Sequence, residues 1–166
     1  MRNAISMALG LAAAVAALLV AIAGPALAAG SPVSVNAVVG ESVTITGLTG
    51  TVSFPATVPG QTAAITGAEA YTVGTNDQAG YTLTTTAGQP AFTDGGSGAT
   101  IPDSAWVVTE TGAHTNAYNP TTSGFTVGTT TGAGSDSYSE NWSLAIPSGQ
   151  VAGSYTNSLT YLAIGN

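Results

Sequence analysis

Beyond Arg2 the chain has no lysine or arginine, and it has no cysteine at any of its 166 positions. Each absence removes chemistry. A chain with eight carboxylates and no cation in its body cannot neutralise phosphates and release their counterions, so nucleic acid is not an expected partner. Schiff-base catalysis, phosphate-cradling lysines and arginine clamps on carboxylates are excluded by the same gap. Without cysteine there are no disulfides, zinc–thiolate sites or iron–sulfur clusters. Histidine occurs once, as His114, and the aromatic share is 7%. Sustained helical spacing is missing from Ser31 onward.

What is present begins with an export pattern. Met1-Arg2-Asn3 precedes an Ala/Leu/Val-rich stretch from Ala4 to Ala23, and Gly24-Pro25-Ala26-Leu27-Ala28 follows. Positive start, apolar core, helix breaker and small-x-small pair predict a secretory signal over residues 1–28, cleaved after Ala28. Residues 29–166 are then one exported domain, with no membrane segment remaining after cleavage.

That domain is rich in Thr, Val, Gly, Ser and Tyr, residues of pleated surfaces and turns. Strands are predicted at Val33–Val39, Ser42–Thr46, Thr51–Phe54, Ala63–Thr66, Ala70–Val73, Tyr81–Thr86, Ala105–Thr109, Gly124–Val127, Tyr138–Ile146 and Ser154–Ile164. Turn signals such as Pro59-Gly60, Asn76-Asp77 and Gly88-Gln89-Pro90 separate them. About ten short strands at this spacing predict an all-β fold, a single antiparallel β-sandwich of Ig-like or Greek-key type. Trp142, Leu144 and Ile146 alternate along one strand and Tyr155, Leu159, Tyr161 and Ala163 along the next, which predicts a hairpin through Pro147-Ser148-Gly149-Gln150 with an aromatic core face. Core packing is the expected role of Trp106 and Trp142. The stretch from Gly112 to Gly134 is the least strand-like, a long loop or a β-excursion, and a place to seek a binding surface.

The last strand carries a resemblance. Ala152-Gly153-Ser154-Tyr155 and then Leu159-Thr160-Tyr161-Leu162-Ala163 are similar to the terminal signature of WxL-type cell-wall surface proteins of Gram-positive bacteria: Tyr, three residues, an aliphatic, Thr, Trp, any residue, Leu. Tyr155, Leu159 and Thr160 match, with Tyr161 in the place of Trp and Ala163 in that of Leu. Gly80-Tyr81-Thr82-Leu83 with Phe92 downstream resembles the proximal aromatic-x-Leu motif, and Trp142-Ser143-Leu144 spells the tripeptide itself. The resemblance implies a secreted domain held non-covalently on peptidoglycan, with Tyr81, Leu83, Trp142, Leu144, Tyr155 and Tyr161 as binding residues. Anionic wall polymers would repel a polyanion. Recognition should therefore use aromatic stacking and hydroxyl or amide hydrogen bonds to neutral glycan, or contacts with other surface proteins.

Three further constellations call for assessment. Asp94-Gly95-Gly96-Ser97-Gly98, followed by Asp103, offers oxygen ligands for a structural Ca2+, with Asp94 and Asp103 as the metal candidates; no other cofactor is expected. The plainer reading of the acids is solvated loop charges that cap turns. His114 with Ser104 and Asp103 lacks a Gly-x-Ser-x-Gly elbow and reads as a solvated loop histidine. Glu41, Glu69, Glu110 and Glu140 are the only glutamates for a carboxylate-dependent glycoside hydrolase, and none lies in a catalytic motif. Asn141-Trp142-Ser143 is a formal glycosylation acceptor set in a strand. The expected role is thus a non-enzymatic domain of the bacterial cell surface associated with the cell wall. A structural subunit of a pilus, sheath or surface layer is the alternative, homo-assembled by strand pairing through the uncharged segment Ser31–Val39. A secreted hydrolase is the third.

Overall fold

The computed structural model describes Ser34 and residues 36–166, and residues 39–166 form one compact unit. The signal-peptide segment 1–28 lies outside the described residues. Among the described residues no helix is long and apolar enough to cross a membrane.

Eleven strands and one three-residue 3-10 turn follow one another: β1 (Val43–Thr46), β2 (Thr62–Thr75), β3 (Tyr81–Ala87), β4 (Ala91–Asp94), β5 (Thr100–Pro102), the turn Asp103–Ala105, β6 (Trp106–Gly112), β7 (Asn116–Tyr118), β8 (Phe125–Thr129), β9 (Gly134–Ala145), β10 (Tyr155–Thr156) and β11 (Leu159–Gly165). All pairings are antiparallel. One sheet runs β1-β2-β9-β6-β7, a second β11-β3-β8, and a small third β10-β4-β5. The first two face each other as a sandwich. Tyr81 of β3 meets Tyr138 of β9 hydroxyl to hydroxyl at 2.7 Å, and the Thr85 hydroxyl of β3 donates to the Tyr118 hydroxyl of β7 at 3.1 Å.

Period-two alternation decides which residues go inside. Tyr81, Leu83, Thr85 and Ala87 are buried along β3, Trp106, Val108 and Glu110 along β6, and Tyr138, Glu140, Trp142 and Leu144 along β9. One end of the core is apolar. Trp106 meets Trp142 edge-on at 5.2 Å and Phe92 at 5.0 Å, and Ile101 and Leu144 are buried beside them in the same cluster. The other end is tyrosine-rich, with Tyr71 stacked on Tyr138 at 5.1 Å and Tyr161 edge-on to Tyr71 at the same separation.

Several sequence expectations are corrected. β9 and β11 form no hairpin: β9 lies between β2 and β6, while β11 crosses to the other layer and pairs with β3. The Pro147–Gln150 turn does form, the Gln150 amide donating to the Pro147 carbonyl at 3.1 Å, but the chain then passes through β10, which joins β4 in the small sheet. Two apolar alternating strands cannot share one layer when each is needed to roof the other. Ala63–Thr66 and Ala70–Val73 are one strand, β2, whose register shifts between Ile65 and Glu69; Gly67 supplies a φ of 62° in that break. Thr51–Phe54 forms no strand, and Phe54 still packs on Phe92 and Trp142. Asn36–Val39 is not a strand, and Val33 and Val35 lie outside the described residues. Gly112–Gly134 is a β-excursion containing β7 and β8.

Candidate functional site

Six of the eight acids are buried: Glu69, Asp77, Asp94, Asp103, Glu110 and Glu140. They are therefore not solvated, although Asp77 and Asp94 do cap turns as expected, accepting from the Ala79 and Ser97 amides. The central finding is a cross-strand row. β9 sets Glu140 directly opposite Glu69 of β2 on one side and opposite Glu110 of β6 on the other. Glu110 and Glu140 are wholly inaccessible.

Their surroundings explain how a core tolerates them. Glu140 accepts from the Trp142 indole at 2.7 Å, from the Tyr161 hydroxyl at 2.7 Å and from the Tyr71 hydroxyl at 3.2 Å. Glu110 accepts from the Ser139 amide at 3.0 Å and shares the Tyr71 hydroxyl at 3.3 Å. Glu69 is held by the Thr49 amide and hydroxyl at 2.9 and 2.6 Å. Among the described residues there is no lysine or arginine to pair with them. Burial, and next to it the charge of Glu140, push the Glu110 carboxyl up to about 8, so it keeps its proton at neutral pH. The same burial and the neighbouring carboxylates raise the Tyr71 and Tyr161 hydroxyls, which stay neutral donors. A buried acid pair holding a proton beneath tyrosine donors is a satisfied polar network. It lies beyond the reach of a glycoside, which needs accessible carboxyl groups on both sides of its scissile bond.

The other residues singled out from the sequence fall as follows. Tyr81, Leu83, Trp142 and Leu144 are buried, and Tyr155 and Tyr161 are half-buried. The Tyr81 hydroxyl donates to Asp136 at 2.8 Å, and the Tyr155 hydroxyl donates to the Val151 carbonyl at 2.7 Å. All six thus serve the interior or its rim. His114 is half-buried and stacks on Tyr138 at 6.0 Å, close against Gly128, so it is part of the packing rather than a solvated loop residue. Asn141 turns outward, its amide oxygen accepting from the Gly67 amide at 2.8 Å.

Asp94 and Asp103 are held separately. Asp94 accepts from the Ser97 amide and hydroxyl at 2.7 and 2.6 Å and from the Ser154 amide at 2.9 Å, which ties the β4–β5 turn to β10 and pulls its carboxyl down to about 2. Asp103 accepts from the Asn157 amide at 2.8 Å through one oxygen; the other, Oδ2, is buried and has no partner, and burial raises this carboxyl. Among the described residues no three His, Asp or Glu side chains gather as metal ligands. Beside Asp103 lies a cavity of about 230 Å³, walled by Pro90, Ser104, Asn119, Pro120 and Thr122.

With the acids turned in, the outer faces carry no ionisable group. The β11-β3-β8 sheet presents Thr82, Thr84, Thr86, Thr126, Thr129 and Thr160 with exposed Leu162 and Ile164. The larger sheet presents Thr72, Val107, Thr109, Ser137, Asn141 and Ser143.

The buried row was missed in the sequence although its signal is there. Trp106-x-Val108-x-Glu110 and Tyr138-x-Glu140-x-Trp142-x-Leu144 put each glutamate in phase with the aromatics. No family model matches the chain, and no curated protein matches it.

Proposed function

We propose that this chain is an exported, non-enzymatic domain of the bacterial cell surface that associates non-covalently with cell-wall peptidoglycan or with other surface components. The observation that carries this reading is the pair of outward sheet faces, which offer hydroxyl, amide and methyl groups and no charge. With no ionisable group on the sheet faces, contact there need not set a carboxylate directly against an anionic polymer, although the domain keeps its net negative charge. Neutral glycan, itself an array of hydroxyl and acetamido groups, is complementary to such faces. The WxL-like signature of the terminal strand supports the same reading by resemblance alone, its Tyr155 and Tyr161 being engaged in the interior or its rim. Purified domain incubated with peptidoglycan sacculi, with and without chelator, tests the reading. Retention that survives raised salt is expected; no retention under either condition removes it, and retention lost only with chelator assigns the bridge to a divalent cation.

A second reading, a subunit assembled by strand pairing, is favoured by β11. Among the described residues it pairs only with β3, the Gly88 and Asn166 amides donating to the Ser158 and Gly80 carbonyls. In that register the main-chain groups of Leu159, Tyr161, Ala163 and Gly165 point away from β3, and the strand bears no charge. Light scattering across concentration, with and without residues 29–39, separates the two readings. A monomer at high concentration counts against assembly.

A further inference from the structure

We propose that the outer edge of β11 receives, as an added strand, the segment Ser31–Val39 of a second copy of this chain. The inference rests on the strand-pairing reading and gives it a donor, an acceptor and an order of faces.

The acceptor follows from how the two layers overlap. Tyr81 of β3 meets Tyr138 of β9, and Tyr161 of β11 meets Tyr71 of β2, so the smaller sheet sets β3 over β9 and β11 over β2. The larger sheet continues one strand further, to β1. β11 reaches β1 at Gly165, which lies beside the Val43 side chain, and among the described residues no strand pairs with β11 on that side. A place for one strand is therefore open next to β11. The side chains that border it are half-buried although they pack on the core: Leu159, Tyr161 and Ala163 of β11, and Val43 and Ile45 of β1. One strand inward, Tyr81, Leu83, Thr85 and Ala87 of β3 are buried. The N–H and C=O groups of Leu159, Tyr161 and Ala163 point outward with no partner among the described residues. Nothing guards this edge. β11 has no lysine, proline, inward charge or bulge, the devices that block strand addition, whereas β8, the opposite edge of the same sheet, is paired across a register shift at Leu83–Thr84.

The chain carries a segment of complementary pattern. In Ser31-Pro32-Val33-Ser34-Val35-Asn36-Ala37-Val38-Val39, the apolar Val33, Val35, Ala37 and Val39 alternate with Ser34, Asn36 and Val38, and no residue is charged. Laid along β11, the first set covers the half-buried row of β11 and the inward side chains of β1. Ser34 and Asn36 then extend the threonine-rich outer face, and Val38 falls on the side where β11 exposes Leu162 and Ile164. In its own copy the segment has no such cover: Asn36–Val39 are exposed, Val38 at 98%, and belong to no strand. Residues 40–42 are tethered in the layer of the larger sheet. The Asn76 side-chain amide donates to the Gly40 carbonyl at 2.9 Å, its oxygen accepts from the Ser42 amide at 2.7 Å, and the Asn76 main-chain amide donates to the Ser42 carbonyl at 3.2 Å. To reach its own β11 the chain would have to change layer and reverse within these tethered residues. A neighbouring copy needs no such turn. Donor and acceptor are different surfaces, so the contact is head-to-tail and adds copies in line.

The test follows the chain from Ala29 onward by light scattering and amide hydrogen exchange across concentration. Assembly should grow with concentration, and the Leu159, Tyr161 and Ala163 amides should slow at least about tenfold with it as sheet hydrogen bonds close over them. Ala37→Asp sets a charge on the donor's apolar face, at an exposed position outside the compact unit. Ala163→Pro removes an outward N–H and leaves the β3 ladder alone. Each should raise the concentration needed for assembly at least about tenfold. Mixed, the two variants should form a dimer and stop there, since one intact donor and one intact acceptor remain between them. Assembly that persists in both variants overturns the inference and leaves assembly itself standing. A monomer whose Leu159, Tyr161 and Ala163 amides are protected at every concentration, and released by Ala37→Asp, has the segment on its own β11 and overturns it as well. A monomer with those amides unprotected removes the inference and the strand-pairing reading together.

Discussion

Stability that declines as the solution is made less acid is the sharpest consequence of the Glu110–Glu140 pair. In the unfolded chain Glu110 releases its proton near 4.5, and in the folded chain near 8. Between those values the native state holds a proton that the unfolded state lacks, so each rise of one pH unit costs about 1.4 kcal/mol. The benefit is complete below 4.5, drains away through the interval, and is gone above 8. From pH 5 to pH 7 the loss is therefore about 2–3 kcal/mol, a large share of the roughly 5–15 kcal/mol that holds a domain together. Asp103, raised by burial, acts with the same sign above its own unfolded value of 3.8. Asp94 acts oppositely, its contribution vanishing as pH falls from 3.8 toward about 2. Glu110→Gln keeps an acceptor for the Ser139 amide and a donor toward Glu140 while abolishing the titration. Urea unfolding, followed by the fluorescence of the buried Trp106 and Trp142, should show the wild-type midpoint falling across pH 5–8. In the variant the slope should drop by about one proton, and stability at pH 7.5 should rise by about 2–4 kcal/mol. A wild-type midpoint that is flat or climbing over that range, or a variant with the slope intact, refutes the reasoning.

Tyr71→Phe removes the one hydroxyl shared by both glutamates; calorimetry should show a loss of about 1–3 kcal/mol and a Glu110-linked fall in stability that continues to higher pH than in the wild type, because a bond that lowers the Glu110 carboxyl has gone. Trp106→Ala, at the centre of the apolar end of the core, should cost about 3–5 kcal/mol by denaturant titration. Gly80→Ala should destabilise by more than 1 kcal/mol, on the order expected when a residue at φ 88° gains a β-carbon facing the Thr130 carbonyl, and thermal melts would show it.

Much of the fold could be read from the chain. Alternation of Trp106 with Val108, and of Trp142 with Leu144 and Ile146, marks two central strands, and the turn signals around Asn76-Asp77 and Pro147–Gln150 end strands where chain reversal occurs. Pairing could not be read the same way. The alternating faces of β9 and β11 fit a hairpin and an opposed pair of layers equally well, and only the remaining strands decide, since β9 is already flanked by β2 and β6. The short strands β4, β5 and β7 escaped because three or four residues carry little periodic signal. For the site, residue type overrode phase: glutamate is so rarely buried that its in-register position with tryptophan and tyrosine went unused. The surroundings of Asp103, where loops carrying Pro90 and Pro120 meet and Asn157 holds one carboxyl oxygen, are assembled by the topology, and no local pattern brings them together.

The account turns on acids being folded inward between two layers. Carbon-detected NMR titration of every Asp and Glu carboxyl, with the Tyr81–Tyr138 and Tyr71–Tyr161 contacts read from the same sample, tests this most directly. A Glu110 carboxyl changing state near 8, in a molecule where Tyr81 touches Tyr138 and Tyr161 touches Tyr71 across the sheets, is the predicted result. Eight carboxyls all titrating at about 4, as they do in free peptides, would contradict it.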